Sequence, residues 1–192
     1  MRIFHSAHSA SAKGGRLSPL SLAGEPHFAG RERWRRLLAV ALVAALADVG
    51  TKAYVAERIA TGRSLELPGP LSLTHGHNSG AVLGFLSGNP DLVLFLSLSV
   101  LLVAVGCFGR VGSRNAVLAP ALGLLVGGTL GNLIDRLRFG TVTDFLELPL
   151  SPAFNLADAF IVAGAALTIV SVLTAERSRT LLFAARNGRS NY

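Results

Sequence analysis

Four stretches of this chain stay apolar for long runs: residues 37–55, 92–109, 116–134 and 154–175. A helix needs about 20 residues to cross the hydrocarbon core, and backbone groups in lipid must pair within their own segment. Each stretch is therefore predicted to be a transmembrane helix. The second and third contain no charged residue, the first contains Asp48 and Lys52, and the fourth has Asn155 and Asp158 near its start. The connections are uneven: a long loop at 56–91, a short one at 110–115 and a medium one at 135–153. Residues 1–30 are dominated by Ser, Ala, Gly, His and Pro and show no helical apolar period, so they read as a flexible tail. The segment Arg31-Glu32-Arg33-Trp34-Arg35-Arg36 then forms a basic collar with Trp34 at an interfacial position. The expected fold is an all-α membrane protein with four transmembrane helices and a small extracytoplasmic loop region with room for short β-strands.

Composition reinforces that reading. Hydrophobic residues make up 51% and charged residues 15% of the chain, against roughly 25% charged in a soluble domain. Mean hydropathy is +0.51. With the single cysteine Cys107, a disulfide-stapled secreted domain is excluded, and Cys107 reads as a packing residue. The net charge of +7 suits a cationic membrane face, not a nucleic-acid partner. Its distribution sets direction. Thirteen of the 18 Lys and Arg lie before the first span, in the 110–115 loop or after the fourth span; the other loops hold only Arg58, Arg63, Arg136 and Arg138. By the positive-inside rule both termini are expected in the cytoplasm, with the first and third loops outside.

Charged groups inside a membrane cost about 2.5–3.5 kcal/mol each at mid-span, so their positions are informative. With that orientation, Asp48, Lys52, Asn132, Asp135, Asn155 and Asp158 all fall toward the outer ends of their spans, while Asn78 and Asp144 belong to the outer loops. Asn132 and Asp135 are three apart, as are Asn155 and Asp158, so each pair presents an amide and a carboxylate on one helix face. Asp48 and Lys52, four apart, read as a structural pair. Asp135 reads as a partner of the adjacent Arg136, and Asn132 and Asn155 as interhelical hydrogen-bonding groups. Gly123, Gly127 and Gly131 recur every fourth residue, a stripe that lets span 3 approach span 1 or span 4 closely. The His75-Gly76-His77 pair is a weak metal signal, and no metal is expected.

Asp158 has no cation near it in sequence, and Asp144 is flanked by Thr143 and Phe145. Two carboxylates brought together in a dry site cannot both ionise, so they share one proton. The ionised member takes a proton from water while the protonated member polarises a carbonyl, which is aspartic-protease chemistry. Only 13 residues separate the two, with Gly140, Pro149 and Pro152 available to turn the loop back.

Five segments, in order, resemble the lipoprotein signal peptidases, the type II signal peptidases of bacteria. Asp48-Val-Gly-Thr-Lys52 looks like D-x-x-[ST]-K and Asn78-Ser-Gly-Ala81 like N-x-G-A. The run 127–136, Gly-Gly-Thr-Leu-Gly-Asn-Leu-Ile-Asp-Arg, looks like G-G-x-x-G-N-x-x-D-R. Val142-Thr-Asp-Phe145 looks like V-x-D-F and Phe154-Asn-Leu-Ala-Asp158 like F-N-x-A-D. The resemblance covers roughly residues 37–175. Val82-Leu83 stand where the family often has an aromatic, the stretch from Asp144 to Asp158 is short, and the 1–30 tail is extra.

The resemblance implies an intramembrane aspartic endopeptidase of the bacterial cytoplasmic membrane, with its active site near the outer face. It would remove signal peptides from diacylglyceryl-modified prolipoproteins, cutting on the amino side of the lipidated cysteine. The catalytic aspartates carry over onto Asp144 and Asp158. Asn132, Asp135, Arg136 and Asn155 become supporting residues, Asn78 a substrate-contacting residue, and Asp48 and Lys52 scaffold residues. The expected organisation is a flexible basic cytoplasmic tail at 1–36, a four-helix peptidase domain at 37–176 and a basic cytoplasmic tail at 177–192. Lipid-modified prolipoproteins and membrane lipids are the expected partners, with no nucleic acid and no cofactor. The alternative is a small ion- or proton-coupled transporter, which would want polar groups through the full membrane depth.

Overall fold

The computed structural model describes residues 26–80, 89–110 and 116–188. Most of the 1–30 tail, Ala81, the Val82-Leu83 departure and Arg114 lie outside the described residues, as do the last four residues. The chain runs α1 (Pro26–Arg58), β1 (Ser64–Glu66), β2 (Ser72–Asn78), α2 (Pro90–Arg110), α3 (Leu118–Phe139), β3 (Val142–Glu147) and α4 (Leu156–Gly188). Three helices contain segments long and apolar enough to cross a membrane: Gly30–Arg58, Leu118–Phe139 and Leu156–Ala175. The fourth expected span falls in α2, whose apolar stretch, Asp91–Gly106, is shorter.

Two boundaries differ from expectation. Helix α1 starts at Pro26, so the basic collar is helical and not part of a flexible tail. Glu32 accounts for this locally, pairing with Arg35 at 3.5 Å and Arg36 at 3.1 Å one turn on. Helix α4 likewise continues to Gly188, past the expected end of the bundle at 176.

The glycine stripe of α3 settles which helices meet. An added Cβ at Gly123 would lie 2.8 Å from the Leu37 carbonyl and the Val40 side chain; at Gly127 it would strike Ala41, and at Gly131 the Asp48 carboxylate. The stripe therefore seats α1. A different face of α3 seats α4, where a Cβ on Gly164 would come within 2.7 Å of the Ala121 carbonyl. Gly131→Ala is expected to cost about 1–3 kcal/mol, the usual penalty of overpacking, and to disturb Asp48. Thermal unfolding of the purified membrane protein reads the loss, and an unchanged midpoint would show that α1 and α3 do not pack this tightly.

The bundle is apolar at one end and polar at the other. At the end bearing the collar, Leu37, Ala41, Ala104, Phe108, Leu118, Ala119, Leu122 and Val126 form the core. Trp34 packs edge-on against Phe108, with centroids 4.8 Å apart, and the Arg33 guanidinium lies over the same ring. At the opposite end the loops fold into a three-stranded antiparallel sheet in the order β1-β2-β3. Gly140, at φ 72°, ends α3 and sends its N–H to the Arg136 carbonyl at 3.0 Å. That left-handed turn reverses the chain into β3. Register pairs Gly76 with Asp144 and His77 with Thr143. The turn after β3 is closed by Phe145 and Leu146 N–H donating to the Phe154 carbonyl, which delivers the chain to α4.

Candidate active site

Asp144 on β3 and Asp158 in the first turn of α4 are both buried, at 3% and 6% exposure. Asn155 joins them. It sits just before α4, and its Oδ1 accepts the Asp158 N–H at 3.0 Å, as an N-cap residue does. The Asp158 Oδ2 reciprocates by accepting the Asn155 N–H at 3.4 Å. The remaining Asn155 group, Nδ2, donates to Asp144 Oδ1 at 2.7 Å. One amide therefore fixes the start of α4 and ties β3 to it.

Both carboxylates are held by neutral amides. Asn78, at the end of β2, donates Nδ2 to Asp144 Oδ2 at 2.9 Å and accepts the Gly80 N–H on its own Oδ1 at 2.8 Å. Asn132 on α3 donates Nδ2 to Asp158 Oδ1 at 2.8 Å. Burial pushes the Asp144 carboxyl up to about 6, and the nearby charge of Asp158 adds to the rise. The amides of Asn78 and Asn155 and the charge of Lys52 hold it from going further.

Behind this pair lies an ionic network. The Lys52 ammonium touches Asp48 Oδ2 at 2.6 Å and Asp135 Oδ2 at 3.3 Å, and donates to Asn132 Oδ1 at 2.8 Å. Asp48 Oδ1 accepts the Ala157 N–H at 2.8 Å, so the α1 pair also grips the start of α4. Asp135 Oδ2 accepts the N–H of Thr143 at 3.1 Å, immediately before Asp144. The expected pairing of Asp135 with Arg136 is replaced by this contact with Lys52. Arg136 donates instead to the carbonyls of Gly80 at 2.6 Å and Asn132 at 3.3 Å. Adjacent residues on a helix diverge by about 100°, so Asp135 and Arg136 face different neighbours.

All nine residues singled out in the sequence meet in this one cluster. Gly80, Thr143 and Ala157 join it through backbone groups, which residue type does not reveal. Also unannounced is an apolar groove of about 160 Å³ lined by Val93, Leu96, Ser97 and Val100 of α2, Thr129, Asn132 and Arg136 of α3, and Ile161 of α4. Asn132, the residue that holds Asp158, is part of its lining. His75 and His77 have ring centroids 5.3 Å apart. Among the described residues no three His, Cys, Asp or Glu side chains group to hold a metal ion.

The order of these residues along the chain matches a known family. The signal peptidase II profile matches residues 40–174, well over half of the sequence. The chain belongs to the signal peptidase II family. Its relatives include the lipoprotein signal peptidase of Pelotomaculum thermopropionicum, 41% identical over 141 residues, covering 71% of this chain and 91% of the relative. That of Halothermothrix orenii is 36% identical over 140 residues, covering 72% and 95%. Two solved bacterial membrane enzyme structures, both obtained by the in meso method, are similar over most of the chain. Their TM-scores are 0.67 and 0.64 at 31% and 32% identity, over 72% and 71% of this chain and 87% and 92% of theirs. As a signal peptidase II, this chain is a membrane protease. The transporter alternative finds no support in the geometry: among the described residues every buried Asp and Lys lies toward one end of the bundle.

Proposed function

We propose that this peptidase removes signal peptides from diacylglyceryl-modified prolipoproteins, cutting on the amino side of the lipidated cysteine, with Asp144 and Asp158 as its catalytic pair. The observation that carries the assignment is the single amide of Asn155 tying the two carboxylates together in a buried site. Before reaction the pair holds one proton. The ionised carboxylate takes a proton from water, and the resulting hydroxide attacks the scissile carbonyl. The protonated carboxyl donates to the carbonyl oxygen as charge develops there. The tetrahedral species then collapses, the C–N bond breaks, and the proton taken from water passes to the leaving amine. Asn78, Asn132 and Asn155 keep the carboxylates aimed, while Asp48, Lys52, Asp135 and Arg136 hold the elements that carry them.

The groove against α2 suits an apolar segment arriving from the bilayer, with the scissile bond presented at the polar end of the bundle. In this reading α2 completes a set of four membrane spans. The basic collar and the basic stretch after the fourth span lie in the cytoplasm, and the site lies near the outer face of the bacterial cytoplasmic membrane. No metal or other cofactor takes part.

The test is cleavage of a lipidated precursor by the purified full-length protein in lipid, with the product's new amino terminus read by mass spectrometry. A terminus other than the lipidated cysteine, or equal cleavage of an unlipidated precursor, would refute the assignment. A pH profile follows from the shared proton. Activity is expected to be bell-shaped, because the pair is inactive with both protons on and with both off. Asp144 titrates near 6 in the free enzyme, so kcat/KM should fall on the alkaline side as the pair passes through that ionisation. A profile flat from pH 4 to 9 would remove the shared proton. A metal chelator should leave the rate unchanged; inhibition reversed by zinc would point to His75 and His77.

A further inference from the structure

A second cavity, of about 320 Å³, is lined by Lys52, His75, His77, Asp135, Arg138 and Thr143 on its polar side. Val49, Ala53, Ala56 and Phe139 supply the apolar side. Successive strand residues point to opposite faces. Gly76 and Asp144 pair on one face of the sheet, so the neighbouring pair, His77 and Thr143, turns to the other. The cavity is therefore separate from the aspartate pair. It sits where α1 ends at Arg58 and α3 ends at Phe139, at the end of two membrane-spanning segments. Tyr54 with Arg58 and Phe139 with Arg138 stack there as cation–aromatic pairs, each 4.9 Å from guanidinium carbon to ring centroid. Tyr and arginine at the end of a span suit the headgroup level.

Several residues of this lining are themselves buried yet turn a polar atom without a protein partner toward the cavity. His75 is 6% exposed, Asp135 4% and Thr143 8%. His75 Nδ1 donates to the Ile59 carbonyl at 2.7 Å, which leaves Nε2 as the free acceptor of the ring. Asp135 spends Oδ2 on Lys52 and on the Thr143 N–H; among the described residues Oδ1 has no donor. Arg138 makes no hydrogen bond among the described residues, and the Phe139 ring against its guanidinium leaves the N–H edge open. The walls are thus dipolar. A guanidinium stands at the rim, while deeper in, the Asp135 carboxylate lies 3.3 Å from a Lys52 ammonium that Asp48, behind the wall, also engages.

We propose that this cavity binds the headgroup of a phosphoethanolamine lipid. The phosphate meets the guanidinium edge of Arg138. The ammonium donates to Asp135 Oδ1 and His75 Nε2, and the first acyl carbons lie against Val49, Ala53 and Phe139. A trimethylated amine has no N–H to offer the two acceptors, and a phosphoglycerol headgroup brings no positive charge to the carboxylates.

The experiment exposes the purified full-length protein to vesicles of phosphatidylethanolamine, phosphatidylglycerol or phosphatidylcholine, then reads bound lipid by native mass spectrometry. Because the readout is a mass adduct and not turnover, its failure leaves the peptidase assignment standing. The wild type should retain one phosphatidylethanolamine at least about tenfold more than either other lipid, and gain thermal stability from it by mass action. Arg138→Gln, at an exposed position, should fold normally and lose about tenfold of that retention. Equal retention of phosphatidylcholine or phosphatidylglycerol, or full retention by Arg138→Gln, overturns the proposal. So does displacement of the lipid by an equal concentration of water-soluble phosphoethanolamine, which would make the ligand a soluble one.

Discussion

Asp144→Asn and Asp158→Asn are each expected to lower processing of a lipidated precursor by about 10³-fold or more, the scale seen when one member of a concerted catalytic group is lost. The double variant should be scarcely worse than either single one, because the two carboxyls act as a unit. The stability effect of Asp144→Asn should depend on pH. Its folded value of about 6 lies above the ordinary 3.8, so the folded protein holds that proton more tightly than the unfolded chain. The associated stability is complete below about pH 4 and is lost as pH rises through 6. An amide at 144 removes this titration. It also sets an N–H₂ against one of the donors from Asn78 and Asn155, at a cost of about 1 kcal/mol. Asp144→Asn should therefore be the less stable protein at pH 4 and recover relative to the wild type by pH 8. Thermal melts at the two pH values, alongside single-turnover processing, check both halves. Full activity in either single variant would sink the catalytic assignment; a pH-independent difference in stability would sink only the titration.

Lys52→Met is expected to give the largest loss of stability in the protein. The ammonium is 4% exposed and serves Asp48, Asp135 and Asn132 together. Removing it leaves two buried carboxylates without their cation, which typically costs about 3–5 kcal/mol. The damage should spread along identifiable bonds. Asp48 also grips the Ala157 N–H, Asp135 grips the Thr143 N–H, and Asn132 orients Asp158. Lys52→Met should thus lose activity because it loses fold, unlike the aspartate variants, which should stay folded. Adding Asp48→Asn and Asp135→Asn should recover much of the lost stability, since the stranded charges are gone. A Lys52→Met protein as stable as the wild type would show that the network is not ionised as drawn.

The separation between legible and illegible parts follows the range of the forces involved. Three of the spans were readable because lipid imposes a local rule: about 20 apolar residues pair their own backbone. Asp48–Lys52 was readable because both partners lie on one helix, four residues apart; the N-cap role of Asn155 was not, since the apolar run places it inside the span and only the structure starts α4 at Leu156. The partner of Asp135 was not readable. The adjacent Arg136 was the obvious candidate, but it faces Gly80, and Lys52 arrives from another helix. The start of α1 at Pro26 was also missed, since ion pairing by Glu32 stabilises helix where the apolar period is absent.

By itself, the sequence determined that this chain lives in a membrane, that its costly polar residues lie toward one end, and that its motifs are those of a signal peptidase II. These depend on residue type and spacing. Only the tertiary structure decided that the glycine stripe faces α1, that Asn155 joins two carboxylates 14 positions apart, and that a second polar cavity lies behind them. Those depend on which faces meet when helices and strands from distant parts of the chain pack, and no local pattern encodes that.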